Sequence, residues 1–226
     1  METRRIGDSD LAVTPYAIGT MTFGSQTGEA EAHAQLDRAR DAGIALLDTA
    51  EMYPTNPVRR ETVGLTEEIV GRWLADPARR GAMQVATKMT GPSRLVRDGR
   101  PVDAESLVAA AEASLRRLRV ETIDLYQLHW PNRGSYHFRQ HWHYDPTGLD
   151  KAAEEAEVTA LLEAIERLRR AGKVRHFGLS NETAWGTMTW LRLAEATGGP
   201  RMRTLQNEYS LLCRQFDTDL AELCLA

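Results

Sequence analysis

"GTMTFG", residues 19–24, closes the first strand-like run of the chain, Tyr16–Thr20. In an open, doubly wound dinucleotide-binding sheet, the turn after the first strand carries a G-x-G-x-x-G phosphate loop. Here Met21 stands where the second glycine belongs, and the fingerprint fails. Outward from this turn the chain alternates between short β-like runs and helical runs. A hairpin is expected near residues 3–14. Glu29–Ala42 reads as a helix closed by Gly43, a residue suited to a left-handed cap. Ile44–Asp48 reads as the next strand. Glu61–Leu74 reads as a helix with Leu65, Ile69 and Trp73 on one face, stopped before Asp76-Pro77. Met83–Lys88 is a strand, and Asp103 caps a helix whose face is Leu107, Ala111, Leu115 and Leu118. Thr122–His129 is a strand. Val158, Leu161, Leu162, Ile165 and Leu168 form the stripe of a helix ended by Gly172. Lys173–Ser180 and Met202–Gln206 are strands flanking a helix over Glu182–Thr197, and another helix begins at Phe216.

That makes six strands, each followed by a helix. Such alternation builds a parallel sheet through right-handed crossovers. Without the phosphate loop, the α/β class narrows to a (β/α)8 TIM barrel, a single domain over residues 1–226 with a long loop, 131–150, after the fourth strand. A closed barrel takes eight strands and typically about 250 residues. The six strands here, ending within a helical run at Leu223–Ala226, predict a barrel that lacks its last two βα units.

The composition excludes several other classes. Of the 226 residues, 42% are hydrophobic and 27% charged, as in an ordinary water-soluble domain. The formal net charge of −4 argues against nucleic acid as a partner. No apolar run approaches the ~20 residues that cross a membrane, and the N-terminus, Met1-Glu2-Thr3-Arg4-Arg5, has no apolar leader. The two cysteines, Cys213 and Cys224, have neither metal nor redox spacing and read as buried thiols in a reducing compartment. The expectation is a cytoplasmic protein.

Chemistry in a barrel sits where its strands end. Those ends carry Asp48 and Tyr53, then Lys88, His129-Trp130, Ser180-Asn181, and Gln206 with Tyr209. Singly, each has an ordinary structural explanation: Lys88 as a solvated strand end, His129 as a satisfied core histidine. Together, an acid, a phenol, an ammonium and an imidazole at one mouth suit the reduction of a carbonyl. A ketone that receives a hydride needs a proton. A phenol is a poor donor at neutral pH unless a neighbouring cation makes it more acidic. In this reading Tyr53 is the proton donor, Lys88 acidifies it, Asp48 pairs with Lys88, and His129 donates a hydrogen bond to the carbonyl oxygen.

The stretches "GTMTFG", "DTAEMY", "ATK", "LYQLHWP", "FGLSNE" and "LQNEYS", in order from residue 19 to residue 210, resemble the aldo-keto reductase family. "DTAEMYP", "GPSR" and "GLSNETAWGTM" are similar to a bacterial Tas-like branch of it. The resemblance implies a catalytic tetrad of Asp48, Tyr53, Lys88 and His129. It implies that Ser180, Asn181 and Gln206 hold the carboxamide of a nicotinamide, that Tyr209 stacks on its ring, and that Gly19, Thr20 and Met21 line its ribose. Trp130 would line the pocket of a small-molecule carbonyl substrate. The implied cofactor is NADP(H), bound without a Rossmann domain. The segment that in the family grips the adenosine and its 2′-phosphate is not among these residues.

Two other functions are compatible with parts of the pattern. His137, His141 and His143 in "SYHFRQHWHYD", with or without His129, would suit a metal-dependent barrel hydrolase. Their loop position and the absence of carboxylate or cysteine ligands at fitting spacing predict no metal there. Some relatives of this fold act as cofactor-sensing subunits of channels, for which an intact tetrad is no obstacle. Steady turnover of simple aldehydes separates that function from a free enzyme.

Overall fold

In a computed structural model, which describes residues 1–226, the chain begins with a small hairpin. β1 (Arg4–Arg5) pairs antiparallel with β2 (Ala12–Val13), Arg4 opposite Val13. Six further strands follow: β3 (Ala17–Gly19), β4 (Leu46–Asp48), β5 (Gln84–Met89), β6 (Ile123–Leu128), β7 (Val174–Ser180) and β8 (Leu205–Gln206). They lie side by side in sequence order, and every neighbouring pair is parallel. The helices are α1 (Glu29–Asp41), α2 (Leu65–Leu74), α3 (Pro77–Ala82), α4 (Arg94–Arg97), α5 (Ala104–Leu118), α6 (Lys151–Arg170), α7 (Ala184–Thr197) and α8 (Asp219–Leu225). This is the curled parallel sheet of a (β/α)8 barrel, present over six βα units.

Strand parity sorts the side chains, because successive residues point to opposite faces. One face, with Leu47, Val85, Met89, Tyr126, Phe177 and Leu179, packs on the helices in a single large core. The stripe Val158, Leu161, Leu162, Ile165 and Leu168 of α6 belongs to that core, as does Trp73 of α2. Fully burying one such side chain is worth about 1.5–3 kcal/mol. The opposite face carries a second, small cluster of Leu11, Ala86 and Leu125, against which Ile6, Val13 and Leu46 pack. The N-terminal hairpin therefore fills the floor inside the curl. Two residues further along the same parity stand Asp48, Lys88 and Gln127. The rule that buries Leu46, Ala86 and Leu125 at the floor thus delivers these polar side chains to the mouth.

Several elements differ from the sequence-based expectation. Helix α2 starts at Leu65 rather than Glu61. Arg60–Thr62 forms a 3-10 turn, and Gly64 takes φ +86°, left-handed, hard against the Arg117 side chain, so the backbone cannot run on as one helix. Helix α7 starts at Ala184 because Thr183 caps it, its hydroxyl accepting from the Gly186 amide at 3.2 Å. The last strand is confined to Leu205–Gln206. A 3-10 turn over Gln215–Asp217 precedes α8, where one helix was expected from Phe216. The cysteines are not buried: Cys224 is exposed and Cys213 partly so. They lie where the chain leaves the sheet after β8, alongside Leu211, Leu212 and Leu225, which are also exposed.

Candidate active site

Asp48 ends β4, and the register sets it beside Gly19 on one side and Ala86 on the other. Thr20 folds back onto it, amide and hydroxyl donating to the Asp48 carbonyl at 3.1 and 3.0 Å. Lys88, 1% exposed, reaches across from β5. Its ammonium donates to both Asp48 oxygens at 2.8 and 2.9 Å and to the Thr49 carbonyl at 2.9 Å. All three of its N–H groups are thereby used, as a buried ammonium requires. Gln206, at the end of β8, donates to the second Asp48 oxygen at 3.3 Å. Its own carbonyl accepts from Gln127 at 2.9 Å, and Gln127 in turn accepts from the Thr204 hydroxyl at 3.1 Å.

Tyr53 lies in the turn after β4, almost wholly buried, with the Lys88 ammonium 5.4 Å from its ring centroid. His129 follows β6, and the two rings meet edge to face at 5.8 Å. The Asp48, Lys88, Tyr53 and His129 side chains therefore share one mouth. Their electrostatics depart from the expectation on one point. Burial, and then the Asp48 charge, push the Tyr53 phenol above its ordinary pKa. Lys88 does not acidify it here, because its N–H groups go to Asp48 and Thr49 rather than to the phenol. Burial, and then the Lys88 charge, hold His129 well below the usual histidine range, so the imidazole is neutral. Its Nδ1 is buried without a partner. Buried polar atoms without partners are rare and call for an explanation.

Ser180 and Asn181 end β7 against β8. The Ser180 hydroxyl and the Asn181 amide donate to the Gln206 carbonyl at 2.7 and 3.1 Å. The Asn181 side-chain amide donates to the His129 carbonyl at 2.9 Å, which ties these residues to the tetrad. Asn181 has φ +52°, a conformation asparagine tolerates better than most residues. Gly19 faces open space that a side chain would fill. The Tyr209 ring is more than half exposed, with the Arg214 guanidinium 5.5 Å from its centroid. Met21 is partly exposed beside the same turn. The nicotinamide end of a dinucleotide fits this set: hydroxyl and amide groups for a carboxamide, an open cradle at Gly19, and an unpartnered imidazole nitrogen beyond.

Trp130 is pinned from behind, since any side chain at Gly91 would run into its ring. It packs against His129 at 5.0 Å and edge-on against Phe138 at 5.5 Å. In the 131–150 loop the three histidines diverge. His137 is buried with Nε2 3.1 Å from the Glu182 carbonyl, while His141 and His143 are exposed. No group of three or more His, Cys, Asp or Glu side chains is placed to hold a metal ion.

Sequence reasoning missed five buried acids, Glu51, Glu67, Asp124, Glu154 and Glu182, of which Glu51 and Glu182 brace the mouth. Glu51, inside the DTAEMY turn, accepts from the Thr90 amide at 2.9 Å and from Arg97 on both oxygens at 2.9 Å. It clamps that turn to the loop after β5. Glu182 pairs with Arg133, which also bonds Glu154 at 2.5 Å, and so ties the long loop to the end of β7. Only the unusual charge inside an apolar motif, Glu51 after Thr49-Ala50, hinted at either.

A sheet of βα units thus carries an acid–ammonium pair, a phenol and an imidazole at its C-terminal mouth. The family model "Aldo/keto reductase family" matches residues 16–226, and the chain belongs to that family. It is 44% identical to Protein tas of Escherichia coli (strain K12), over 99% of this chain and 64% of that protein. It is 32% identical to the uncharacterized oxidoreductase YrpG of Bacillus subtilis (strain 168), over 97% of this chain and 61% of that protein. The norsolorinic acid reductase stcV of Emericella nidulans is 27% identical over 95% of this chain and 51% of its own length. The chain thus spans less than two thirds of the length of these relatives. No helix is long and apolar enough to cross a membrane.

Proposed function

We propose that this chain carries the catalytic end of an NADPH-dependent reductase that converts small-molecule aldehydes or ketones to alcohols in the cytoplasm, with neither nucleic acid nor membrane as a partner. The observation that carries the proposal is the buried Asp48–Lys88 pair beneath Tyr53, with neutral His129 edge-on beside it. Ser180, Asn181 and Gln206 would hold the carboxamide, Tyr209 the ring face, and Gly19, Thr20 and Met21 the ribose. When bound, the dinucleotide supplies a hydride to the carbonyl carbon. Everything else falls to the protein. Tyr53, like any phenol, is protonated at neutral pH and would give that proton to the carbonyl oxygen. The Lys88 ammonium lies 5.4 Å from the Tyr53 ring centroid, and once that proton leaves, the ammonium would have to turn an N–H from Asp48 or Thr49 toward the phenolate to stabilise it. The neutral imidazole of His129 donates an N–H to the carbonyl oxygen as charge grows there. Asp48 holds Lys88 in place and balances its charge while the phenol is still protonated.

Turnover of benzaldehyde, followed by loss of NADPH fluorescence, tests the proposal. Steady consumption supports it. Tight NADPH binding without turnover would defeat it in favour of a cofactor-sensing role, and no NADPH consumption together with one equivalent of bound zinc would favour the metal-dependent hydrolase.

A further inference from the structure

Gln127 of β6 is 1% exposed and stands level with Lys88 on one side and Gly178 on the other. Leu125, two residues earlier on the same face, is apolar and packs in the floor. A buried amide is costly in such a place unless it is hydrogen-bonded. Gln127 is bonded at both ends. Its nitrogen donates to the Gln206 side-chain carbonyl at 2.9 Å, and its oxygen accepts from the Thr204 hydroxyl at 3.1 Å. Gly178 leaves room for this, since a Cβ there would run into the Thr204 hydroxyl and stand 3.3 Å from the Gln127 oxygen.

The direction of the chain is dictated from Asp48. A carboxylate only accepts, so Gln206 turns its nitrogen toward it, at 3.3 Å. That leaves the Gln206 oxygen for Gln127, which must then offer its nitrogen. The Gln127 oxygen in turn faces Thr204, whose hydroxyl donates. Gln206 is exposed, and after these bonds one N–H and one carbonyl lone pair of its amide remain unused. One donor beside one acceptor is the complement of a primary carboxamide.

We propose that Gln127 is a positioning residue: by fixing the orientation of the Gln206 amide, it makes the site selective for a ligand that carries a primary carboxamide. This rests on the reductase function proposed above, in which Gln206 meets the carboxamide of a nicotinamide. Without Gln127, the 3.3 Å contact with Asp48 is all that holds the Gln206 side chain, and the amide is free to turn.

The test compares the full 226-residue chain with Gln127→Leu, Thr204→Val and Thr204→Ser. Quenching of tryptophan fluorescence measures binding of NADP+ and of its 3-acetylpyridine analogue, in which a methyl replaces the carboxamide nitrogen. One hydrogen bond separates the two ligands, so the unaltered protein should favour NADP+ by roughly 2- to 12-fold. Gln127→Leu should bring that ratio near one. Thr204→Val, which keeps the shape and loses the hydroxyl, should lower it, and Thr204→Ser should keep it. Should Gln127→Leu fail to fold, the Thr204 pair decides alone. An unaltered protein that binds both ligands alike, a ratio unmoved by Gln127→Leu or Thr204→Val, or one lost in Thr204→Ser overturns the proposal. NMR of the side-chain amides reads the positioning without any dinucleotide. The Gln206 amide protons should shift and exchange faster with water in Gln127→Leu and Thr204→Val, but not in Thr204→Ser. Gln206 resonances alike in all four proteins overturn the proposal. If the NMR pattern holds while the unaltered chain binds neither dinucleotide, the reductase function falls alone and the orientation of Gln206 by Gln127 stands.

Discussion

Replacing Lys88 by methionine isolates the electrostatics of the site, because methionine keeps most of the volume and apolar stem and removes only the ammonium. Lys88 is 1% exposed, so its charge exists there by virtue of its partners, both Asp48 oxygens and the Thr49 carbonyl. The substitution strands the Asp48 carboxylate, whose side chain is 16% exposed, with one neutral donor, Gln206 at 3.3 Å. Removing one partner of a buried pair typically destabilises by about 3–5 kcal/mol. The residual exposure of Asp48 and its bond to Gln206 place this case at the low end, about 3 kcal/mol. For a chain of this size that lowers Tm by roughly 6–12 °C. Asp48→Asn should also destabilise, since it leaves the ammonium buried. The double variant, with neither charge, should be more stable than the sum of the two losses predicts, by about 2 kcal/mol. Urea unfolding followed by tryptophan fluorescence, with equal m-values required across the four proteins, measures the cycle. A loss below about 1 kcal/mol for Lys88→Met, or single effects that add within about 0.5 kcal/mol, would show that the pair is not an electrostatic unit.

Tyr53→Phe should lower kcat by about 10²–10⁴-fold and leave NADPH affinity and Tm nearly unchanged; more than a tenth of the original kcat, with chemistry rate-limiting, would exclude Tyr53 as the acid. Burial depresses the pKa of both His129 and His137, so the unfolded chain binds protons more readily below about pH 6.5. Stability should then be full above that pH and fall as the pH drops toward the depressed values, by at most about 1.4 kcal/mol per pH unit for each histidine; His129→Gln should flatten this slope between pH 6.5 and 5. Asp103→Ala removes one half of the capping box on α5, the Asp103 carboxylate that accepts from the Ser106 amide at 2.8 Å, while the backbone amide of residue 103 that donates to the Ser106 hydroxyl at 2.9 Å is kept, and should destabilise by about 1 kcal/mol in the same urea assay. Gly91→Ala drives a methyl into the Trp130 ring and backbone and should destabilise by about 1–3 kcal/mol, with a change in the Trp130 emission.

What could be read from the sequence was whatever repeats locally. The α6 stripe of Val158, Leu161, Leu162, Ile165 and Leu168 has helical spacing, and all five residues lie in the main core. Asp103 caps α5 as its side chain suggests. The strand ends were legible because period-two alternation carries the polar residues Asp48 and Lys88 to the same face as Ala86 and Leu125. What could not be read depends on residues far apart in the chain. The break at Gly64 lies in its left-handed φ of +86°, and the distant Arg117 side chain fills the space a Cβ there would take. The rise in the Tyr53 pKa follows from surroundings that close over it only in the folded state, whereas the mere presence of a lysine and a tyrosine suggested a fall. The Gln127–Gln206 bond spans 79 residues, and no local pattern announces it. Cys213 and Cys224 are apolar by type and yet partly and fully exposed, in the segment after the last strand of the sheet.

The N-terminal hairpin is fastened to parts of the chain that are made much later. Asp10 bonds Arg175 at 2.8 Å and His176 at 2.6 Å, across 165 and 166 residues, and Asp8 pairs with Arg203, across 195. Leu11, beside them, is fully buried against Ala86 and Leu125. At a synthesis rate of about 5–20 residues per second, the 165 residues between Asp10 and Arg175 correspond to roughly 8–33 s on the ribosome. Through that interval Leu11 can find Ala86 and then Leu125, but the partners that Asp8 and Asp10 bond in the fold, Arg203, Arg175 and His176, are not yet made. The hairpin is therefore fastened in its final place only after β7 and the residues leading into β8 have been added.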